Sequence, residues 1–211
     1  MMLYSRRLTL RGPQAETMAW IAEITASVNA KTNLDIGCWM GLYGLPVGSV
    51  GWSARVESHV EVAEMGAALA GDAAFAALVD RAAGWVVAPP EDSLRSLVSG
   101  GRGDAGLPAI GSVALMTTAV LAQGKLAEGM AWCMDIGAYA ADLTGVPVAF
   151  FSDVYGTFGA VTWTSVSADM ATVDKSQALI AGDAEYIKRV SAGSDLFIPG
   201  SGYQALSTRI A

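Results

Sequence analysis

Charge is the first thing this sequence lacks. Only 16% of its 211 residues are charged, while 53% are apolar, and the net charge is −7. Typical domains carry roughly 25% charged residues. A deficit of Lys and Arg excludes a nucleic-acid surface, which needs clustered cations, and disfavours an anionic membrane for the same reason. Histidine is nearly absent, with His59 alone, and so is cysteine, with Cys38 and Cys133. The two cysteines have no metal-ligand spacing and fall in different predicted elements. No disulfide and no metal site are expected, and reduced thiols suit the cytoplasm.

Other signatures are missing as well. There is no Gly-rich phosphate loop, no Ser-His-Asp set and no Cys/His cluster. The start, "MMLYSRRLTLRGP", has no apolar core of signal-peptide length. Two charge-free stretches, 36–54 and 105–124, approach the length of a membrane span. Both are rich in Gly, contain Pro and are broken by Ser or Thr, so they read as buried strands.

What the chain does contain is itself, twice. "ETMAWIAEI" at 16–24 returns as "EGMAWCMDI" at 128–136, a shift of 112. Tyr43–Gly44 then meets Tyr155–Gly156. One residue is lost, and at a shift of 111 Gly48, Val50 and Trp52 return as Gly159, Val161 and Trp163. "AGDAAF" at 70–75 returns as "AGDAEY" at 181–186. The halves are expected at 1–88 and 111–211, joined by a linker at 89–110. The middle of that linker, "EDSLRSLV", suits one short helix, and its Arg-Gly-Asp triplet, 102–104, reads as accidental.

Each half shows one order of elements. An extended stretch (2–10 or 112–121) precedes a helix, opened in the first half by Pro13. Two strands follow, at 34–44 and 47–56 or at 146–156 and 158–166, with a Gly-containing hairpin link. A second helix starts at Ser58 or Ser167 as N-cap. It breaks at Gly71–Asp72 or Gly182–Asp183, where the Asp can cap a continuation. A last strand is expected at 85–88 or 196–199. This is β-α-β-β-α-β, the ferredoxin-like unit. Its strands are apolar on both faces: Leu34, Ile36, Cys38, Met40 and Leu42 point one way, Trp39 and Tyr43 the other. A sheet apolar on both faces needs a layer on each side, and the second copy can supply one.

Tandem ferredoxin-like halves with the broken helix "AGDAAFAALV" or "AGDAEYIKRV" resemble the dimeric α/β-barrel superfamily, and most of all its NIPSNAP-like branch. The resemblance spans nearly the whole chain. It implies an α+β fold in which two βαββαβ repeats pack sheet to sheet as one intramolecular α/β barrel. The superfamily includes cofactor-free monooxygenases acting on aromatic polyketides, haem-degrading enzymes and proteins without assigned activity. Its tandem haem members hold haem through a His in the second half, where this chain has none, so no cofactor is expected. Its monooxygenases use a Trp, a Tyr and an Asn near the substrate. Here Asn29 and Asn33 sit at the end of the first helix and just after it, without Asn counterparts in the second half.

The remaining candidates are aromatic and acidic. On a helical wheel Glu128, Asp135 and Asp142 form a narrow stripe flanked by Trp132 and Tyr139. Glu16 and Glu23 repeat it beside Trp20. A solvated stripe with Trp packed at its edge is one reading; Trp20, Trp132 and Tyr139 against another subunit is the other. Trp39, Tyr43, Trp52, Tyr155 and Trp163 are either core or the lining of a pocket between sheet and helices, where this superfamily places ligands. Asp153 ends an apolar strand. Buried, its carboxylate would titrate high and serve as a general base; otherwise it marks the strand leaving the core. The sequence thus supports a cytoplasmic protein, expected as a homo-oligomer, that binds a small apolar, aromatic ligand; cofactor-independent oxygenation is a chemistry that the resemblance alone implies. A non-catalytic, self-assembling scaffold is the alternative.

Overall fold

The computed structural model describes residues 1–103 and 105–211; Asp104, the last residue of the Arg-Gly-Asp triplet, lies outside the described residues. The first repeat runs β1 (Met2–Thr9), α1 (Gln14–Lys31), β2 (Gly37–Tyr43), β3 (Ser49–Val56), α2 (His59–Ala70), α3 (Ala73–Arg81) and β4 (Glu91–Gly100). The second runs β5 (Val113–Val120), α4 (Leu126–Thr144), β6 (Val148–Asp153), β7 (Ala160–Ser167), α5 (Met170–Gly182), α6 (Ala184–Ala192) and β8 (Tyr203–Arg209). Both are βαββαβ, as the internal repeat requires.

The strands form a closed antiparallel barrel in the order β1-β3-β2-β8-β5-β7-β6-β4. Each repeat supplies four neighbours, and the two sheets join edge to edge. β2 pairs with β8 through Trp39↔Arg209 and Met40↔Thr208, and β4 pairs with β6 through Arg95↔Asp153 and Leu97↔Phe151. Closure leaves no unpaired sheet edge, the exposed hydrogen-bonding row that invites aggregation. One chain thus completes a barrel without a partner.

Local chemistry sets the element ends. Ser58 caps α2 by accepting from the Glu61 N–H. Asp72 and Asp183 cap the continuations α3 and α6, accepting from Phe75 and Tyr186, as the repeated Gly-Asp predicts. The cap of α5 is Asp169 rather than Ser167, which remains the last residue of β7. The β2–β3 hairpin turns at Gly44, φ +74°, where a Cβ would collide with the Gln204 carbonyl oxygen.

The closing strands correct the sequence reading. Residues 85–88 and 196–199 make only isolated bridges, Leu10↔Val86 and Leu121↔Phe197. The strands that close the repeats are β4 and β8. β4 occupies residues expected to be linker and short helix. Its Leu94 is buried while Ser93 and Arg95 face the barrel interior. An inward face this polar gives β4 no apolar alternation, so "EDSLRSLV" shows no strand period. The connection between repeats shortens to 101–112. Among the described residues, no single helix is long and apolar enough to cross a membrane.

The helices cover the outside of the barrel, and there the apolar core lies, in two clusters. Under α1–α3 it contains Trp20, Ile24, Cys38, Val50, Trp52 and Met65. Under α4–α6 it contains Leu121, Cys133, Phe150 and Val161, packed by Trp132, Trp163 and Phe197.

Candidate functional site in the barrel interior

A strand alternates its side chains between faces, so each barrel strand sends one set outward to the helices and one inward. The inward set is unusual. From β1 and β4 come Ser5, Arg7, Glu91, Ser93 and Arg95; from β2 and β3, Trp39, Gly41, Gly51 and Ser53. The second repeat adds Met116, Phe151 and Thr164. These small and polar side chains do not fill the barrel. They line a cavity of about 710 Å³, within the range of small-molecule sites, roughly 300–1,000 Å³.

The polar groups in this wall are paired with one another. The Trp39 indole N–H donates to the Ser53 hydroxyl at 3.0 Å, and the Ser5 and Ser93 hydroxyls lie 2.7 Å apart. Arg7 pairs with Glu91. Arg95 donates from Nε to Asp153 Oδ1 at 3.1 Å, with both side chains about 15% exposed. Asp153 is therefore neither a free base nor a strand end in solvent: it is the carboxylate half of an ion pair that pins β6 to β4. Where β1, β4 and β6 meet, the charges are thus paired, and the groups beside them are neutral hydroxyls and an indole.

The other candidates fall elsewhere. Trp52 and Trp163 point outward into the helix-side cores, not into an open pocket. Trp52 Nε1 donates to Thr25 Oγ1 at 2.7 Å and Trp163 Nε1 to the Cys133 carbonyl at 2.9 Å. Tyr43 and Tyr155 are each 66% exposed at hairpin tips, and the Tyr155 hydroxyl lies 3.2 Å from His59 Nε2. Of the ligand candidates, Trp39 and Trp52 are among the lining residues, Trp52 with its indole turned outward, and Asp153 reaches the wall through its pair with Arg95.

The interface candidates are engaged within the chain. Trp20 is 2% exposed, donates to the Leu78 carbonyl at 2.8 Å and meets Trp52 edge to face. It offers no surface to a second subunit. Trp132 donates to the Arg189 carbonyl at 3.1 Å. The Tyr139 hydroxyl donates to Asp183 at 3.0 Å, with the Arg189 guanidinium 4.4 Å over its ring. The acidic stripe supports these contacts, since Asp135 pairs with Arg189 and Glu23 with Arg81.

Haem does not fit the helix-side space. Over the second sheet that space is packed with Phe150, Trp132, Trp163 and Phe197, and His59 stands exposed at the start of α2. Among the described residues no three His, Cys, Asp or Glu group as a metal site. Burial pushes the thiols of Cys38 and Cys133 up to about 12, so neither is a nucleophile near neutral pH.

No family model matches the chain, and no curated protein matches it. Solved structures do. A candidate monooxygenase from Fusobacterium nucleatum superposes with a TM-score of 0.73 at 6% identity, over 100% of this chain and 92% of its own. An anthrone oxidase-like protein gives 0.67 at 11% identity, over 100% and 91%. The fold is that of the dimeric α/β barrels. A candidate monooxygenase from Lactobacillus acidophilus repeats the match at 0.66 and 8% identity, over 99% and 93%. At such identities the likeness speaks for the barrel alone. In this barrel the space under the helices is filled and the space within the strands is open.

The sequence pointed to the Trp residues but not to the surface they occupy. The cavity wall mixes Ser, Thr and Gly with scattered apolar and charged residues, a set that carries no motif. One signal was available: Gly37, Trp39 and Gly41 share a strand face, so a single large ring stands between two positions without side chains.

Proposed function

We propose that this protein is a cytoplasmic small-molecule-binding α/β barrel that takes an apolar ligand with neutral hydrogen-bonding groups into the barrel interior. The observation that carries this reading is the cavity of about 710 Å³ lined by Trp39, Phe151, Met116 and serine hydroxyls. Apolar and aromatic walls supply affinity and a few polar groups fix orientation. The pairs Arg7–Glu91 and Arg95–Asp153 support an uncharged ligand at that part of the wall, because an ion would have to break one of them to find a partner there. The buried, unpaired cysteines support a reducing compartment. Calorimetric titration with 2-naphthol tests the reading. Saturable binding that Met116→Trp abolishes, in a protein that stays folded, is the expected result; no binding to wild type at millimolar probe overturns it.

Cofactor-independent oxygenation is the chemistry proposed for this site. Its support is that proteins named as candidate monooxygenases and as anthrone oxidase-like share the fold over the whole chain. Oxidation of an anthrone CH₂ to a carbonyl takes one oxygen atom from O₂ and releases the other as water. Oxygen uptake with anthrone, measured against a buffer blank, is expected to accelerate with enzyme; equal rates leave a binding protein only.

A self-associating scaffold is the competing reading. Its support is the exposed apolar pair Val47 and Phe158, 99% and 89% exposed at the two hairpin tips. Light scattering that reports a monomer at 100-fold different concentrations excludes it.

A further inference from the structure

The two repeats place their inward residues in matched positions, which allows one half of the cavity to be compared with the other. In the first repeat Trp39 on β2 stands opposite Gly51 on β3. In the second, Phe151 on β6 stands opposite Thr162 on β7. Gly37 and Gly41, two residues either side of Trp39, correspond to Ala149 and Asp153. In the second repeat these positions are packed shut: Phe151 is 5% exposed and Thr162 0%, and Asp153 is taken up by Arg95 of the first repeat. The first repeat stays open. Trp39 and Gly51 are only half-buried, though both lie in the wall of a closed barrel. A Cβ built on Gly51 would meet one atom within 4 Å, the Arg6 carbonyl oxygen at 3.6 Å.

The open ring is also held in place. Its indole N–H is spent on Ser53 at 3.0 Å, so the ring keeps one orientation before any ligand arrives. An aromatic face fixed in advance costs little to bind against, and its quadrupole favours a second flat ring in offset or edge contact.

On the reading that the barrel interior is the binding site, we propose that it holds one planar ring system per chain, stacked against Trp39 in the space left by Gly51, and that the second repeat has no equivalent site. The duplication has thus diverged: the first repeat presents the open ring, and the second contributes wall to the same cavity. The repeat predicts two sites; the side chains leave one.

The test compares 2-naphthol with 1-adamantanol, a compact alcohol of similar size without a flat face. In calorimetric titration, wild type is expected to bind 2-naphthol with a stoichiometry of one and 1-adamantanol about tenfold more weakly, the discrimination that aromatic stacking supplies. Trp39→Leu is expected to remove that preference. Gly51→Thr, which installs the second repeat's residue on a strand that tolerates it, is expected to weaken 2-naphthol by about tenfold or more while melting no lower than wild type. Equal affinity for the two alcohols, a stoichiometry of two, or full binding by Gly51→Thr overturns the stacking site and leaves the barrel reading intact. Absence of binding by either probe overturns both.

Discussion

Trp20 and Trp52 meet edge to face, their centroids 6.1 Å apart and their planes at 89°, and Trp132 and Trp163 repeat the arrangement at 6.3 Å and 85°. Each pair locks the first helix of its repeat onto the third strand, and each indole N–H reaches an oxygen on a neighbouring element. The repeated "MAW" is the sequence trace of this lock.

Removing the lock should cost stability in both halves, more in the first, where Trp20 is fully buried. Trp20→Ala is expected to lose about 4 kcal/mol in urea unfolding, the range for deleting a buried large aromatic. Trp20→Phe should lose about 2 kcal/mol, from volume and from the Leu78 carbonyl left without its donor. Trp132→Ala should cost less than Trp20→Ala. A larger loss for Trp132→Ala would show that the second core, not the first, carries the fold.

The Arg95–Asp153 pair ties β4 to β6 where the two sheets join. Arg95→Met leaves the carboxylate facing the cavity wall without its partner and should destabilise by about 2 kcal/mol, less than a fully buried pair because this one faces open space. The double change Arg95→Met, Asp153→Leu should recover most of that loss, since neither charge is then stranded. A double-mutant cycle in urea measures the coupling, and a double variant as unstable as the sum of the singles argues against it.

Alkaline pH reads the burial of the thiols. Cys38 and Cys133 titrate near 12 in the fold, above the ordinary thiol value, because burial disfavours the thiolate. Between about pH 9 and 12 the unfolded chain gives up these protons and the native one keeps them. The stability the neutral thiols contribute is complete below pH 9 and is lost as pH rises through that window, at up to about 1.4 kcal/mol per pH unit for each thiol. Cys38→Ala, Cys133→Ala should flatten the alkaline limb of stability against pH. An unchanged slope would assign that limb to other groups.

β4 can be told from a linker by proline. Ser96 lies between Met2 of β1 and Ser152 of β6, so Ser96→Pro places a ring in a strand paired on both sides and should prevent cooperative folding. Two residues inserted after Gly106, where a Cβ would meet nothing within 4 Å, should leave the circular dichroism melt within a few degrees of wild type. Tolerance of Ser96→Pro would restore the linker reading.

The duplication, the order of elements, the Gly-Asp break and the barrel class were all legible in the sequence, because they depend on local period and on comparing the chain with itself. The β-branched, aromatic-rich β3 and β7 announce themselves in this way. β4 and β8 do not, because their inward faces carry Ser, Arg and, on β4, Glu, and a strand polar on its inner face has no clear apolar alternation to detect. Which side of the sheet is open could not be read at all. Trp52 and Trp39 are equally plausible pocket residues in sequence, and they lie on adjacent strands. Only closure of the barrel sends one outward, under α1 with Trp20, and the other inward beside Ser53. The sequence by itself determined the two halves and their common unit. The tertiary structure decided that the halves join edge to edge, that the helix-side space is full and that the interior is open. The physical reason is that a side chain's environment depends on which strands lie beside it, and that pairing joins residues as distant in the chain as Trp39 and Arg209.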